Sequence, residues 1–334
     1  MALPISELRA LCVSAACMAD AVEADCGTDG LENGCMDEAR AILDNICSVL
    51  SCGYGDISRI EAIDEGLTNS SLRFDCAGTS YVYRHPGVGT EEIIDRASES
   101  FSQSVAKRLG IDETFIYEDP AQGWKLSRFI PDCVEFDYHN RDHVQRGLAL
   151  VRRLHESGEE SAWSFDVYRK AEEIVDMLDG ATLHAFADFD EIHARIARLY
   201  DFVSADGVKP CLCHNDFYAP NFLVGADFMY LIDWEYSAMS DYASDLGTFV
   251  CCSDYDLSQA EEAIRMYFGS EPTAAQRRHC LAYVAISGYY WFVWALYKQA
   301  TGDPVGEWLD LWHGYARDYA KIALSLYEGE LAWN

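Results

Sequence analysis

Positive charge is scarce in this sequence: 25 lysines and arginines stand against 56 aspartates and glutamates, a formal net charge of −31. That balance argues against a nucleic-acid backbone or an anionic membrane surface as the main partner. It is compatible with a cationic small substrate, and also with nothing beyond solubility. Paired metal-ligand spacing is missing too. The 13 cysteines are scattered, no Cys-x-x-Cys occurs, and Cys211/Cys213 and Cys251/Cys252 lie too close for a zinc knuckle. They read as reduced, mostly buried thiols of a cytosolic, cytoplasmic protein. The N-terminal stretch has no basic region, and Glu7 and Arg9 interrupt its apolar part, which argues against a signal peptide. Internal repeats and low-complexity segments are also absent.

What is present is an ordinary globular composition over 334 residues, half of them hydrophobic, enough for one large domain or two. The most apolar run, "LAYVAISGYYWFVWALY" at 281–297, carries no charge. It falls short of the roughly 20 residues a spanning helix needs, and Ser287, Gly288 and four tyrosines interrupt it. The expectation is a buried helix and no membrane insertion.

Residues 1–35 read as an N-terminal helical extension with a turn-rich loop, "CGTDGLENG". A helix over 36–50 follows, then β-like runs at 57–64, 70–76 and 80–85, a helix from Glu91 to about Leu109, and strands at 114–118 and 124–130. That order predicts an antiparallel sheet with one inserted helix over 36–131. From 132 to 334 the pattern is mainly helical, at roughly 138–156, 164–179, 188–204, 242–252, 257–268, 273–298 and 306–328. The fold class expected is α+β, with a small β-rich lobe ahead of a larger helical one.

The exception in the helical part is "CLCHNDFYAPNFLVGADFMYLIDWEYS" (211–237), where apolar runs flank polar residues like strands of a hairpin. Phosphoryl transfer needs a carboxylate to take the proton of the attacking hydroxyl, hard oxygen ligands for magnesium, and donors around the phosphates. Asp216 with Asn221 five residues on, and Asp233 on the next hairpin, has the spacing of a protein-kinase catalytic loop and its metal-binding acid. The alternative is a solvated loop whose Asn and Asp shape turns. Upstream, "DEGLTNSS" (64–71) could turn over phosphates, or be a plain hairpin turn. Arg84 stands where a nucleotide kinase needs a cation, and Glu92 or Glu99 could anchor it; all three could equally be surface charges.

With these pieces in order, the sequence resembles the choline/ethanolamine kinases, bacterial choline kinase type, within the aminoglycoside-phosphotransferase-like and protein-kinase-like superfamily. The matching pieces are "EGLTNSSLRF", "YVYRHPGVGTEEIIDRASE", "CHNDFYAPNFLV", "LIDWEYS" and "YYWFVWALY", in family order over about residues 38–325. The resemblance implies a two-lobed protein-kinase-like fold, ATP as phosphoryl donor and Mg2+. It implies Asp216 as catalytic base and Asn221 and Asp233 as magnesium ligands. Arg84 would be the phosphate-binding cation with Glu99 its partner, Asn69, Ser70 and Ser71 would lie near the phosphates, and Ile130 would mark the adenine hinge. His214 and Asp245 would support the loop. One departure stands out: some members carry an acid seven residues after that structural Asp, and here the position is Cys252.

Trp291 and Trp294, three apart on one predicted helix face, sit beside Tyr290 and Tyr297. A trimethylammonium group donates no N–H hydrogen bond, so aromatic faces hold it best, at about 0.5–2 kcal/mol per ring. An aromatic stripe at helical spacing can also be plain core; with the resemblance, Trp291 and Trp294 read as a choline cage, with Tyr236 and Tyr255 as further walls. The expectation is an ATP-dependent choline kinase. Its rivals are a kinase of the same fold for ethanolamine, thiamine or an aminoglycoside, and a silent nucleotide-binding protein.

Overall fold

A computed structural model describes residues 30–63, 70–85 and 95–329. They form two compact units that part at Cys133/Val134, with the short stretch Arg108–Ile111 counted with the second.

In the first unit, helix α1 (Gly30–Leu50) precedes strands β1 (Ile57–Ile63), β2 (Ser70–Cys76) and β3 (Thr79–His85). Helix α2 (Arg96–Arg108) and strands β4 (Phe115–Glu118) and β5 (Lys125–Arg128) complete it. The sheet is antiparallel in the order β1-β2-β3-β5-β4. Ala77 and Gly78, both with positive φ (50° and 81°), join β2 to β3 in the mirror-image turn that suits a twisted hairpin. α1 begins at Gly30, inside the stretch 26–34 expected to be a loop. Once the apolar turns at Ala39, Ile42, Leu43 and Ile46 are packed, extending the helix backwards costs little compared with starting one.

Strand alternation then assigns the faces. Leu72, Phe74, Tyr83 and Leu126 turn toward α1 and form the core with its four apolar residues. Their neighbours Ser71, Arg84 and Lys125 turn the other way, and Arg84 and Lys125 meet Glu99 of α2. One face of the sheet is therefore apolar and buried, and the other is mostly polar and partly buried.

The second unit holds α3 (Arg141–His155), α4 (Val167–Met177), α5 (Gly180–Leu183) and α6 (Phe189–Ala205). After these come strands β6 (Cys211–Cys213), β7 (Phe222–Val224), β8 (Met229–Leu231) and β9 (Ala238–Ser240). Helices α7 (Tyr242–Cys251), α8 (Leu257–Phe268), α9 (Ala274–Ala300) and α10 (Trp308–Tyr327) follow. Hydrophilic starts mark several helices: Asn140 caps α3, and capping boxes open α8 (Asp256/Gln259) and α9 (Thr273/Gln276). The hairpin expected around the polar cluster is two nested antiparallel pairs, β7 with β8 and β6 with β9.

α9 contains the apolar run, and by length and composition alone it could cross a membrane. Here 89% of its most apolar window is buried inside the unit, as a core helix. Two glycines permit this packing. A Cβ on Gly247 of α7 would stand 2.4 Å from the Tyr283 carbonyl oxygen of α9, and one on Gly288 of α9 would stand 3.0–3.1 Å from Tyr315 and Ala316 of α10. α7 is thereby pressed onto α9 at the turn that presents Asp245.

Candidate active site

The loop from His214 to Asn221 is held by groups its own sequence supplies. Asn215 and Asp233 adopt left-handed backbone (φ 64° and 67°), which Asn and Asp tolerate better than most residues. Pro220 lies in a 3-10 turn that ends at Asn221. Phe217 is fully buried and stacks on Phe249 at 5.3 Å, and Trp234 is fully buried against His214 at 4.7 Å. Apolar anchors thus alternate with the polar residues and fix where those point.

Asp245, fully buried near the start of α7, accepts the backbone N–H of His214 at 2.8 Å and of Asn215 at 2.6 Å, and faces His155 Nε2 at 2.9 Å. His214 donates from Nε2 to the Ile232 carbonyl at 2.9 Å, so its Nδ1 accepts the Asp216 N–H at 3.3 Å. Burial pushes the His214 imidazole below its ordinary range, with Asp245 opposing. A neutral ring with both nitrogens committed to backbone is a brace.

Asn221 Nδ2 donates to the Asp216 carbonyl at 2.8 Å and to Asp216 Oδ2 at 2.9 Å. Ile232 N–H to the Asn221 carbonyl at 2.9 Å ties this loop to the segment bearing Asp233. Burial and then the Asp233 charge push the Asp216 carboxyl well above the usual carboxylate range, Glu235 and Asp245 add to this, and the Asn221 hydrogen bond opposes it. The structure therefore brings Asp216, Asn221 and Asp233 together and adds Glu235, which the spacing argument did not single out. The Asn221 amide nitrogen is turned to Asp216; its amide oxygen and the Asp233 carboxylate are both hard oxygen donors, a pair whose chemistry fits magnesium.

An aromatic run adjoins these acids. Tyr236 meets Phe165 (6.1 Å between centroids), Phe165 meets Tyr290 (5.7 Å), and Tyr290 meets Trp291 (4.9 Å). Trp291 continues to Trp294 (5.6 Å) and Trp312 (5.7 Å), and Trp308 stacks on Trp312 (5.2 Å). Burial raises the Tyr236 and Tyr290 hydroxyls; the charges of Asp216 and Glu235 act on both, and Glu173 acts on Tyr290. Trp294 is half-buried, and Lys298 Nζ lies 5.7 Å from its ring centroid, an ammonium resting on one face. Tyr255 does not join this run. Its ring meets Tyr138, His139 and Phe249, its hydroxyl donates to the Tyr138 carbonyl, and it lines a recess of about 400 Å³ with Arg141 and Glu262. Phe165, Trp308 and Trp312 escaped the sequence reading because nothing local links them to Trp291. Cys252 is buried at the end of α7 and supplies no acid.

In the first unit, Glu99 is fully buried and meets three cations: Arg84, Arg96 at 3.2 Å and Lys125 at 3.0 Å. Burial alone would raise its carboxyl, but Lys125 and Arg84 outweigh that and hold it at about 2. Gln103 bridges Glu99 (3.2 Å) and Glu118 (2.8 Å), and burial followed by the Glu99 charge pushes Glu118 up to about 8. Ser71 is buried opposite Arg84 in the β2–β3 register, and Ser70 pairs with His85. Ile130 is half-buried after β5, and its carbonyl accepts from the Cys133 thiol at 3.6 Å. Asn69 and Glu92 lie outside the described residues. Lys125 and Arg96 were not foreseen; the only local hint of Lys125 is a lone charge flanked by Trp124 and Leu126.

Residues 137–279, which carry the acid cluster, match the phosphotransferase enzyme family. The protein is a phosphotransferase with an alcohol group as acceptor. It is similar to a choline/ethanolamine kinase family protein from Mesorhizobium loti, 28% identical over 87% of this chain and 94% of that one, with a TM-score of 0.68. The choline kinase LicA from Streptococcus pneumoniae, 21% identical over 88% and 99% of the two chains with a TM-score of 0.67, shares the fold. Protein LicA of Haemophilus influenzae is 22% identical over 254 residues, 73% of this chain and 74% of that protein. The fold is thus protein-kinase-like.

Proposed function

We propose that the protein is a choline kinase that transfers the γ-phosphoryl group of ATP to the hydroxyl of choline. The observation that carries this reading is one continuous arrangement in the second unit: Asp216 and Glu235 beside an aromatic run from Tyr236 through Tyr290 to Trp291 and Trp294. The acids face the reacting hydroxyl and the rings take the trimethylammonium group, whose charge they stabilise without hydrogen bonds.

Asp216 orients the choline hydroxyl and accepts its proton as the new oxygen–phosphorus bond forms and the bond to the ADP oxygen breaks. Asn221 and Asp233 would hold magnesium, which when bound offsets negative charge on the phosphates. Arg84, kept cationic and oriented by Glu99, meets phosphate oxygens; Ser71, with Ser70 and Asn69, supplies further donors, and Ile130 lies against adenine. His214 and Asp245 keep the loop in place. The similarity to a protein named as a choline kinase supports the acceptor chosen.

Ethanolamine is the second reading. Glu173, Glu235 and Asp216 all act on the Tyr290 hydroxyl, so acids that would accept the N–H donors of a primary ammonium lie near the rings. The absence of an acid at Cys252 favours choline. The deciding experiment is an ADP-release assay with ATP and magnesium against choline, ethanolamine, thiamine and an aminoglycoside. Choline is expected to give the highest kcat/KM. No turnover with millimolar choline, alongside turnover of another acceptor, overturns the assignment.

A further inference from the structure

Behind the loop that bears Asp216, a second cluster has a use that phosphoryl transfer does not require. Cys211 and Cys213 alternate on β6 and so point to one side of the strand, with their sulfurs 3.7 Å apart. Their third neighbour comes from the far end of α3: one ligand atom each from His155, Cys211 and Cys213 lie within 4.8 Å of one another. We propose that these three residues form a binding site for a thiophilic divalent cation of the Zn2+ or Cd2+ class.

Two features of the geometry support it. Zinc–sulfur bonds of about 2.3 Å at a tetrahedral angle place two sulfurs about 3.8 Å apart, and the observed 3.7 Å needs almost no adjustment. The imidazole is oriented as metal-binding imidazoles usually are, with one nitrogen on a carboxylate. His155 Nε2 faces Asp245 Oδ2 at 2.9 Å, and since that carboxylate only accepts, Nε2 carries the proton. In the neutral ring Nδ1 then keeps its lone pair, which takes the Tyr267 hydroxyl at 2.8 Å and would be surrendered to an ion. The spacing that rules out a zinc knuckle is therefore no obstacle, because the third ligand arrives from a different element. Burial, with Cys211 and Asp245 adding, raises the Cys213 thiol well above its ordinary range. The ion must displace a proton, so affinity should climb with pH. Asp245 also holds His214 and Asn215, so occupancy is linked to the loop that carries Asp216.

The test uses the full reduced chain and Cd2+, followed by thiolate-to-metal absorption in the ultraviolet. The tightest equivalent is expected to weaken by about 100-fold or more in Cys211→Ser, beyond the 10–100-fold typical of losing a mere supporting residue, and to persist in Cys52→Ser. Retention in Cys211→Ser, or loss in Cys52→Ser, overturns the assignment. X-ray absorption of the one-equivalent Zn2+ complex gives an answer independent of any variant. Two sulfurs and the remaining ligands nitrogen or oxygen support the site; three or four sulfurs refute it.

Discussion

Two buried carboxylates in this molecule have opposite surroundings. Glu99, in the first unit, is ringed by Arg84, Arg96 and Lys125 and stays ionised far into acid. Asp216, in the second, has an amide as its hydrogen-bond partner, and the charges that act on it come from Asp233, Glu235 and Asp245, all acids. One site balances its charge internally. At the other, burial and the neighbouring acids Asp233, Glu235 and Asp245 all push the carboxyl upward, and the Asn221 amide opposes them. A buried carboxyl held against neighbouring acids costs stability that a site can give up for function.

The sharpest way to break the comparison is to neutralise each acid in turn. Asp216→Asn should lower kcat by about 10²–10⁴-fold, the range for loss of a general base, while ATP binding is retained and the thermal midpoint holds or rises. A parallel loss of ATP affinity, read by calorimetry, would remove the assigned role. Glu99→Gln should instead cost about 3–5 kcal/mol of unfolding free energy in a urea titration, because three buried cations lose their acid. The pH dependence separates the pair further. Held at about 2 against a usual 4.5, Glu99 contributes stability that is complete above pH 4.5 and lost as pH falls toward 2, so its removal flattens the acid limb. Glu118, pushed up to about 8, works in the other direction: stability declines as pH rises from 4.5 to 8, and Glu118→Gln should flatten that slope. The smallest effect is expected at the aromatic run proposed to hold the substrate cation. Trp294→Ala should raise the KM for choline about 2- to 30-fold, equivalent to 0.5–2 kcal/mol, with the ATP KM little changed. Equal rises in both would mean that the ring serves packing alone.

How much of this was legible in the sequence depended on how far apart the partners lie. Asp216 and Asn221 sit five residues apart, and their intervals with Asp233 could be read directly. The element order of the sheet was equally plain, because alternation and turn residues are local signals. Lys125 was not legible as a partner of Glu99: a lysine in a short strand reads as solvent-facing until the β3–β5 register sets it beside Arg84. Trp312 was hidden similarly, since only the crossing of α9 and α10 puts it against Trp291. Tyr255 shows the opposite case: the resemblance suggested a cage wall, and the structure turns that ring toward Tyr138, whose carbonyl accepts its hydroxyl.

The burial of α9 also bears on how the chain is made. This helix spans Ala274–Ala300, and the partner that covers it at Gly288 begins only at Trp308. While a ribosome is between those points, earlier elements can cover Tyr289, Tyr290 and Phe292 through Phe165, Phe186 and Phe189, but the face at Gly288, Trp291 and Trp294 that α10 covers has nothing to lie against. Nascent chains halted there display a long greasy surface of the sort that draws chaperones and promotes aggregation. Production of the second unit is therefore all-or-none with respect to α10: a chain cut just before Trp308 should accumulate as insoluble material, even though every residue of the acid cluster has already been synthesised.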